Sequence, residues 1–230
     1  MMTRKNEGVV MSEKIGVIAD TATDTAMGKD YFENKGYEVV MRPLKETSPE
    51  CSRFFEEPPE ERAAYVSTLI DEVKADGAKI VVVYANSLCA YVDVDKLCTE
   101  SGIVVVTPFH TYKELGKVFK KPCVWAAAGG ALSEIEKRLK EGNFNTEVCG
   151  VSLLPVVEQI EAGLPPAQIV AQSGLKELIH FSEKAGCDCI ILGCTHFPSL
   201  MRELLPLAGI PVIDPADIML DMLRDVIAKQ

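Results

Sequence analysis

The chain has 230 residues, of which 47% are hydrophobic and 25% charged, so it can bury a substantial core in one or two compact domains. Its formal net charge of -10, without a dense cluster of Lys and Arg, argues against a nucleic-acid partner. No stretch approaches the roughly 20 apolar residues of a membrane span, and the first residues lack the apolar core of a signal peptide. We therefore expect a cytoplasmic protein that acts on small molecules, with no membrane partner.

Apolar, β-branched runs alternate with polar or helix-patterned segments along the chain, and this alternation predicts an α/β fold. Buried parallel strands read as continuous Val and Ile runs, as residues 80–83 and 103–106 do. We therefore predict a mostly parallel sheet in each half of the chain. The predicted strands cover residues 14–19, 37–41, 79–84, 103–107, 123–127, 146–151, 188–193 and 210–213.

Helical patterns with start and stop signals fill several of the gaps between these strands. Proline opens two of the predicted helices, and glycine ends two others. The segment 43–59, rich in Pro, Glu and Ser, has no clear period and reads as a surface loop that is a candidate for the border of a site. The predicted helices cover residues 59–76, 129–141, 165–185 and 215–229.

The eight cysteines are scattered, unlike those of a secreted disulfide scaffold. Cys187 and Cys189 bracket the start of a predicted strand, whereas Cys194 follows its far end, and no second CxxC-type knuckle is present. We expect no metal site. Most of the cysteines are interpreted as small buried hydrophobes.

The junction after the strand at 188–193 is the best candidate for a functional site. It reads Cys194-Thr195-His196-Phe197-Pro198, with the proline where a helix would begin. Ligands of open α/β sheets collect at the carboxyl ends of the strands, where amides at a helix N-terminus can stabilise a thiolate. We predict that Cys194 is a catalytic thiol and that His196 orients or activates it.

The run Leu-Gly-Cys-Thr-His at 192–196, followed by an aromatic residue and Pro, resembles the second cysteine motif of the Asp/Glu/hydantoin racemase family. Residues 154–158 are similar to the family's Pro-Leu-Val-Glu segment, and residues 213–216 to its Ile-Asp-Ser-Ala turn. The resemblance covers nearly the whole chain. Members of this family racemise amino acids without a cofactor, using two cysteines on opposite faces of the substrate α-carbon.

The resemblance implies two similar, Rossmann-like three-layer lobes related by a pseudo-twofold axis, with the site in the cleft between them. It places residues 12–105 and 206–230 in the first lobe and residues 106–205 in the second. It also implies a homodimer, no cofactor, and a small carboxylate or amino acid similar to aspartate or glutamate as the substrate.

The first cysteine of the family is missing from this sequence. Family members have Cys-Asn-Thr where this chain has Ala85-Asn86-Ser87, so the chain resembles a divergent member. Asp20, Cys89 or a bound water would then have to serve the other face of the substrate. Cys89 lies one turn into a helix that starts at Asn86, which puts it about 6 Å further along the axis.

Other site residues are carried over from the resemblance. Asp20-Thr21 is similar to the family's Asp-Ser pair, which implies that Asp20 assists proton transfer and Thr21 contacts the substrate; Asp20 is also placed to cap the following helix. Asn86, Ser87 and Thr195 would bind the substrate as well. Two family features are absent: Ala-Thr-Asp-Thr replaces glycines at 22–25, and an alanine-rich run at 126–131 replaces a carboxylate-binding Gly-Thr pair.

Three functions fit these observations. The first is a cofactor-independent, racemase-like enzyme in which Cys194 transfers the proton. The second is a single-cysteine decarboxylase similar to the arylmalonate decarboxylase branch of the same superfamily, which keeps only the second-lobe cysteine. The third is a non-catalytic member that binds a carboxylate or an amino acid.

Overall fold

Eight parallel strands form two separate four-stranded sheets within residues 13–229, the part of the chain that this computed structural model describes. All eight predicted strands are present, with shifts of at most a few residues at their ends. Residues 1–12, where no signal core was expected, and residue 230 lie outside the described range. The strands are β1 (Lys14–Ala19), β2 (Glu38–Pro43), β3 (Ile80–Val83), β4 (Val104–Val106), β5 (Pro122–Ala126), β6 (Cys149–Ser152), β7 (Cys189–Gly193) and β8 (Val212–Ile213).

The two sheets have the same topology. Their strand orders are β2-β1-β3-β4 and β6-β5-β7-β8, so each strand of the first sheet has a counterpart four places later in the chain. Every residue of β3, β5 and β7 is buried, because helices cover both faces of the sheets. The predicted pair of similar α/β lobes is therefore confirmed.

The helices that connect the strands include two departures from the predicted pattern. The segment 43–59 is not a loop, and the predicted helix at 165–185 is two helices. No described helix is long and apolar enough to cross a bilayer. The helices are α1 (Ala22–Glu33), α2 (Ser48–Glu56), α3 (Pro59–Ala75), α4 (Asn86–Tyr91), α5 (Val94–Ser101), α6 (Pro108–Val118), α7 (Gly129–Gly142), α8 (Leu154–Glu161), α9 (Pro166–Gln172), α10 (Leu175–Lys184), α11 (Met201–Leu204) and α12 (Pro215–Ile227).

Both departures have local physical causes. Helix α2 starts with a capping box, in which the Thr47 amide and hydroxyl donate to the Glu50 carboxylate at 3.0 and 2.9 Å. Its buried face, Cys51 and Phe54, packs on the first lobe. The break between α9 and α10 falls at Gly174, whose φ of 69° is left-handed and ends a helical run.

The chain crosses between the lobes twice, each time through a helix that begins with proline. After β4, helix α6 starts at Pro108 and packs in the core of the second lobe. After β8, helix α12 starts at Pro215 and packs in the core of the first lobe. We expected residues from 206 onward in the first lobe, but β8 pairs with β7, so the return crossing comes only at Asp214.

Candidate active site

A cavity of about 490 Å³ lies between the carboxyl ends of the two sheets and is lined by both lobes. It brings together seven of the eight predicted site residues, because parallel strands place their carboxyl ends at one edge of a sheet. Strands β1 and β3 supply the residues of the first lobe, and β7 supplies those of the second. The seven residues are Asp20, Thr21, Asn86, Ser87, Cys194, Thr195 and His196.

Cys89 does not line the cavity. Helix α4 does start at Asn86, but its first turn directs Cys89 between the hydrophobic cores of the two lobes. Burial raises the pKa of the Cys89 thiol far above its usual range. The structure thus removes Cys89 from the candidates for proton transfer and leaves it a packing role.

The tight packing of Gly193 fixes the position of Cys194 at the end of β7. A Cβ at Gly193 would lie 2.8 Å from Ile135 Cδ1 and 2.9 Å from the Trp125 carbonyl oxygen, so only glycine fits. Cys194 follows, 7% exposed, with its Sγ 3.6 Å from His196 Nδ1. The next turn, Phe197–Leu200, is a short 3-10 helix rather than the start of an α-helix.

This setting favours a neutral thiol, contrary to the thiolate that we expected from a helix N-terminus. Burial, reinforced by the Asp24 carboxylate, raises the pKa of Cys194 well above its usual range. The backbone hydrogen bond from His196 acts in the opposite direction but is the smaller effect. At neutral pH Cys194 is therefore a proton donor.

Asp24, which sequence reasoning missed, is the polar centre of the site. It lies in the first turn of α1, is 4% exposed, and its Oδ1 accepts a hydrogen bond from Thr195 Oγ1 at 2.8 Å and lies 3.1 Å from His196 Nδ1. Its Oδ2 accepts from Thr21 Oγ1 at 3.2 Å. Burial raises the pKa of Asp24, while His196 beside it opposes the rise. The hydroxyls of Thr21 and Thr195 are thus already bound to a carboxylate.

The other side of His196 faces a second carboxylate that the sequence did not reveal. Nε2 of His196 lies 3.3 Å from Glu161 Oε1, off the line of a hydrogen bond, and has no other partner among the described residues. Ser48 Oγ of α2 donates to the same Glu161 oxygen at 2.7 Å, which joins the two lobes. Glu158, in the segment similar to the family's, is exposed and one turn away.

Asp20, which follows β1, lines the cavity from the first lobe. Its Oδ1 accepts a hydrogen bond from the Leu88 amide at 3.2 Å, and its backbone oxygen accepts from Cys51 Sγ at 2.8 Å. It does not cap α1, because Thr21 is the N-cap residue. Burial, with the nearby Asp24 carboxylate, raises the pKa of Asp20 to about 8. Asp20 therefore exchanges protons close to neutral pH.

The turn after β3 offers hydrogen-bond donors but no acid or base. Ala85 is buried, and the Ser87 side chain acts to lower the pKa of Asp20. Asn86 Oδ1 accepts from Tyr112 at 2.7 Å, which leaves the amide nitrogen of Asn86 to meet a ligand. Within residues 13–229, no group of three or more His, Cys, Asp or Glu side chains is placed to hold a metal ion.

The sequence profile of the Asp/Glu/Hydantoin racemase family matches residues 56–223, more than half of the chain. The chain belongs to this family. Membership confirms the resemblance that the motif around Cys194 indicated. It leaves the roles of the individual site residues in this racemase-family member to be proposed from the geometry.

Curated relatives in this family are glutamate racemases. One from Thermoanaerobacter sp. (strain X514) is 25% identical over 177 residues, 74% of this chain and 65% of the relative. Another, from Roseiflexus sp. (strain RS-1), is 30% identical over 162 residues, 66% of this chain and 56% of the relative. The chain thus spans less than two thirds of the length of these relatives.

Solved racemase structures share the fold across nearly the whole chain. Glutamate racemase from Francisella tularensis, in complex with D-glutamate, matches with a TM-score of 0.70 at 15% identity, over 95% of this chain and 82% of that one. An isoform from Bacillus anthracis gives 0.69 at 23% identity, over 94% and 82%. An aspartate racemase homologue from Pyrococcus horikoshii gives 0.65 at 18%, over 93% and 98%. These likenesses establish the two-lobed fold.

Proposed function

We propose that the protein is a cofactor-independent, racemase-like isomerase of a small amino acid, in which Asp20 removes the α-proton from one face and Cys194 adds a proton to the opposite face. The observation that carries the proposal is that these two groups line one cavity from opposite lobes. Asp20 follows β1 in the first sheet, and Cys194 follows β7 in the second. Asp20 then serves as the acid and base of the first lobe, in place of a thiol at position 85.

The ionisation states of Asp20 and Cys194 are suited to these roles of base and acid. With a pKa raised to about 8, Asp20 has a carboxylate fraction near neutral pH, and its basicity exceeds that of an ordinary aspartate. The raised pKa of Cys194 keeps the thiol protonated and ready to donate. A positioned acid or base contributes about 10² to 10⁴-fold to a proton transfer.

The bond changes follow from these states. The Cα–H bond breaks as the Asp20 carboxylate takes the proton, and the Cys194 S–H bond breaks as its proton forms a new Cα–H bond on the opposite face. Asp20 is then protonated and Cys194 is a thiolate, next to Nδ1 of His196 at 3.6 Å. The reverse reaction, starting from the other enantiomer, uses the same two groups with the roles exchanged.

Hydrogen exchange at Cα in deuterated water tests the proposal. The protein is incubated with the L- and D-forms of alanine, methionine, phenylalanine, glutamine, aspartate and glutamate, and deuterium at Cα is followed by NMR in both enantiomers. We expect both enantiomers of a substrate to become labelled. Cys194→Ala should lower the interconversion of the enantiomers, and exchange in the enantiomer whose Cα–H faces Cys194, about 1000-fold, because the acid and base for that face is removed.

The matched control is Cys98→Ala, which removes a buried thiol of the first lobe that does not line the cavity. This variant should exchange like the wild-type protein. Wild-type interconversion of the enantiomers by Cys194→Ala would refute the proposal. Ligand-dependent thermal stabilisation without any exchange would instead identify a non-catalytic binder.

A single-cysteine decarboxylase is the second candidate, favoured by the presence of Ala85 opposite the one retained thiol, Cys194. Such an enzyme would release carbon dioxide from a substituted malonate and form one labelled enantiomer of the product. The deuterium experiment with phenylmalonate as an additional probe separates the two reactions. Labelling of both enantiomers of an amino acid, without gas release, excludes the decarboxylase.

A further inference from the structure

Three cysteines cluster at the amino end of the second sheet, away from the candidate active site. Cys123 lies at the start of β5, Cys149 at the start of β6, and Cys187 two residues before β7. All three thiols are free. Cys123 and Cys187 are buried in one hydrophobic core, and Cys149 packs against it. The cavity that contains Cys194 lies at the opposite, carboxyl end of the sheet, so this cluster is a separate group of nucleophilic side chains.

The strand register places two of these three cysteines opposite each other. Cys123 is the direct partner of Cys149 in the parallel pair of β5 and β6. Neighbouring strands lie about 4.8 Å apart, which is within the Cα separation of about 4.4 to 6.8 Å that a disulfide spans. On β7, the partner of Cys123 is Ile190, three residues beyond Cys187. Cys187 is therefore out of register with Cys123, and β5 separates it from β6.

The side chains of Cys123 and Cys149 point to the same side of the sheet. Directly paired residues of neighbouring strands share a face, and both cysteines contact the core cluster that contains Trp125. Burial raises the pKa of Cys123, and the Cys149 thiol acts in the same direction. The two thiols thus form a cross-strand pair that lies on one face and shares one environment.

One thiol of this pair is accessible from solvent. Cys149 is partly exposed, whereas Cys123 is fully buried. Two residues before them are the charged side chains of Lys121 and Glu147, which are 39% and 77% exposed and whose Nζ and Oε2 atoms lie 3.9 Å apart. This end of the two strands is therefore open to water, and Cys149 is the thiol that a dissolved reagent meets first.

We infer that Cys149 and Cys123 are a modification site, which low-molecular-weight disulfides oxidise to a reversible intramolecular disulfide. The Cys149 thiolate attacks one sulfur of the reagent, whose S–S bond breaks and releases a first thiolate. Cys123 then attacks the Cys149 sulfur of this mixed disulfide, and a second thiolate leaves. The two cysteines lose two electrons and two protons, and the reagent is reduced to two thiols.

The spacing of the strands favours a bond that is easily reduced. Paired Cβ atoms of parallel strands lie close to the strand spacing of about 4.8 Å, whereas a relaxed disulfide holds its Cβ atoms about 3.8 Å apart. The start of β5 and the start of β6 must then approach each other by about 1 Å. Strain of this kind makes a disulfide more reducible, so we expect a reversible modification rather than a permanent cross-link.

Peptide mapping of the oxidised full chain tests the inference. The protein is incubated with oxidised glutathione at pH 8, free thiols are blocked with iodoacetamide, and tryptic peptides are analysed without reduction. Trypsin places the three cysteines of the cluster in separate peptides, which cover residues 121–137, 141–176 and 185–202. We expect the first two peptides to be joined and two of the eight thiols to be lost. Dithiothreitol should restore both thiols.

Two variants check the order of the steps and the choice of partner. Cys123→Ala removes the second thiol, so Cys149 should remain as a stable mixed disulfide with glutathione. Cys187→Ala is the matched control, because it removes a thiol of the same core cluster that is out of register with the pair, and it should keep the joined peptides. In the wild type, a cross-link that contains Cys187, a glutathione adduct that stays on Cys149, or no oxidation of Cys149 would each overturn the inference.

The single tryptophan gives a second readout in the folded protein. Trp125 follows Cys123 by two residues, is 1% exposed and packs in the same core cluster. A disulfide beside the indole should quench its fluorescence in the wild type and in Cys187→Ala, and dithiothreitol should restore it. Joined peptides with unchanged fluorescence would show that the bond forms only in unfolded chains, which would overturn a site in the native fold. Neither readout depends on the proposed isomerase activity.

Discussion

The ends of β3 and β7 occupy equivalent places in the two lobes, yet only one of them carries a reactive group. Strand β7 leads into Cys194, whereas β3 leads into Ala85, which is followed by hydrogen-bond donors. In the first lobe the acidic groups are found instead beside β1, at Asp20 and Asp24. The comparison teaches that a repeated sheet topology preserves the positions available for chemistry, while the functional groups can move from one strand end to the next.

Replacing Asp20 is expected to have the largest effect on α-proton exchange, because the comparison places the first-lobe acid and base there. Asp20→Asn keeps the shape and removes the base, so α-proton exchange should fall about 1000-fold. In the wild type, exchange driven by Asp20 should rise with pH up to about 8, because the base is the ionised form. That rise should vanish in the variant, as measured by NMR exchange rates across pH 6 to 9.

The control for this change is Asp30→Asn, which removes an exposed carboxylate of α1. It should keep both the rate and the pH profile. A normal pH profile in Asp20→Asn would show that another group acts on the first-lobe face.

The packing behind Cys194 is expected to give the next largest effect. Gly193→Ala should lower the free energy of unfolding by about 3 kcal/mol, since the new Cβ meets a backbone oxygen that cannot turn away. Gly129→Ala is the matched change at the start of α7, where no atom lies within 4 Å of the added Cβ. Urea unfolding should find Gly129→Ala within about 0.5 kcal/mol of the wild type, and equal losses in both variants would contradict the packing argument.

The partly buried carboxyl of Asp20 should also affect the pH dependence of stability. Its pKa rises from 3.8 to about 8 on folding, so the folded state binds the proton more tightly, and the stability present below pH 3.8 is lost as pH rises through 8. The wild-type free energy of unfolding should therefore fall between pH 5 and pH 9. In Asp20→Asn this fall should be smaller by on the order of 2 kcal/mol. Denaturant curves that shift equally with pH in both proteins would contradict this.

Restoring the missing thiol is expected to have the smallest effect, but it tests the comparison of the two strand ends most directly. Ala85→Cys in the Asp20→Asn background should recover exchange about tenfold, because a thiol at the end of β3 provides a new acid or base for that face. Ala85→Ser in the same background is the control, since a hydroxyl does not ionise in this pH range. Equal recovery with serine would point to a change in packing instead.

The sequence predicts the fold well because its strongest signals are local. Continuous β-branched runs mark the strands, and parallel strands bring their ends together, so the end of one strand was enough to predict Cys194 and His196. The other five residues that line the cavity were carried over from the family resemblance. Helix α2 was missed because Pro, Glu and Ser obscure its short buried face. The spacing of Thr47 and Glu50, which form its capping box, was a local signal that could have predicted it.

Asp24, Glu161 and Cys51 were missed for a different reason. Each lies on a helix, and the face of that helix turned toward the cavity is decided by how the lobes pack, which no local period records. The replacement of family glycines by a segment containing Asp24 was the one available signal. Reading it as a gained carboxylate, rather than as lost glycines, would have placed Asp24 in the site.

The two crossings through α6 and α12 have a mechanical consequence. Both begin with proline, at Pro108 and Pro215, and the two helices pack against each other, so the lobes are joined by a pair of adjacent, stiff connections. Because the two connections lie side by side, we expect any relative movement of the lobes to be a hinge about them. Such a movement would have to break the hydrogen bonds that join the lobes at the cavity, from Ser48 to Glu161 and from Thr195 to Asp24.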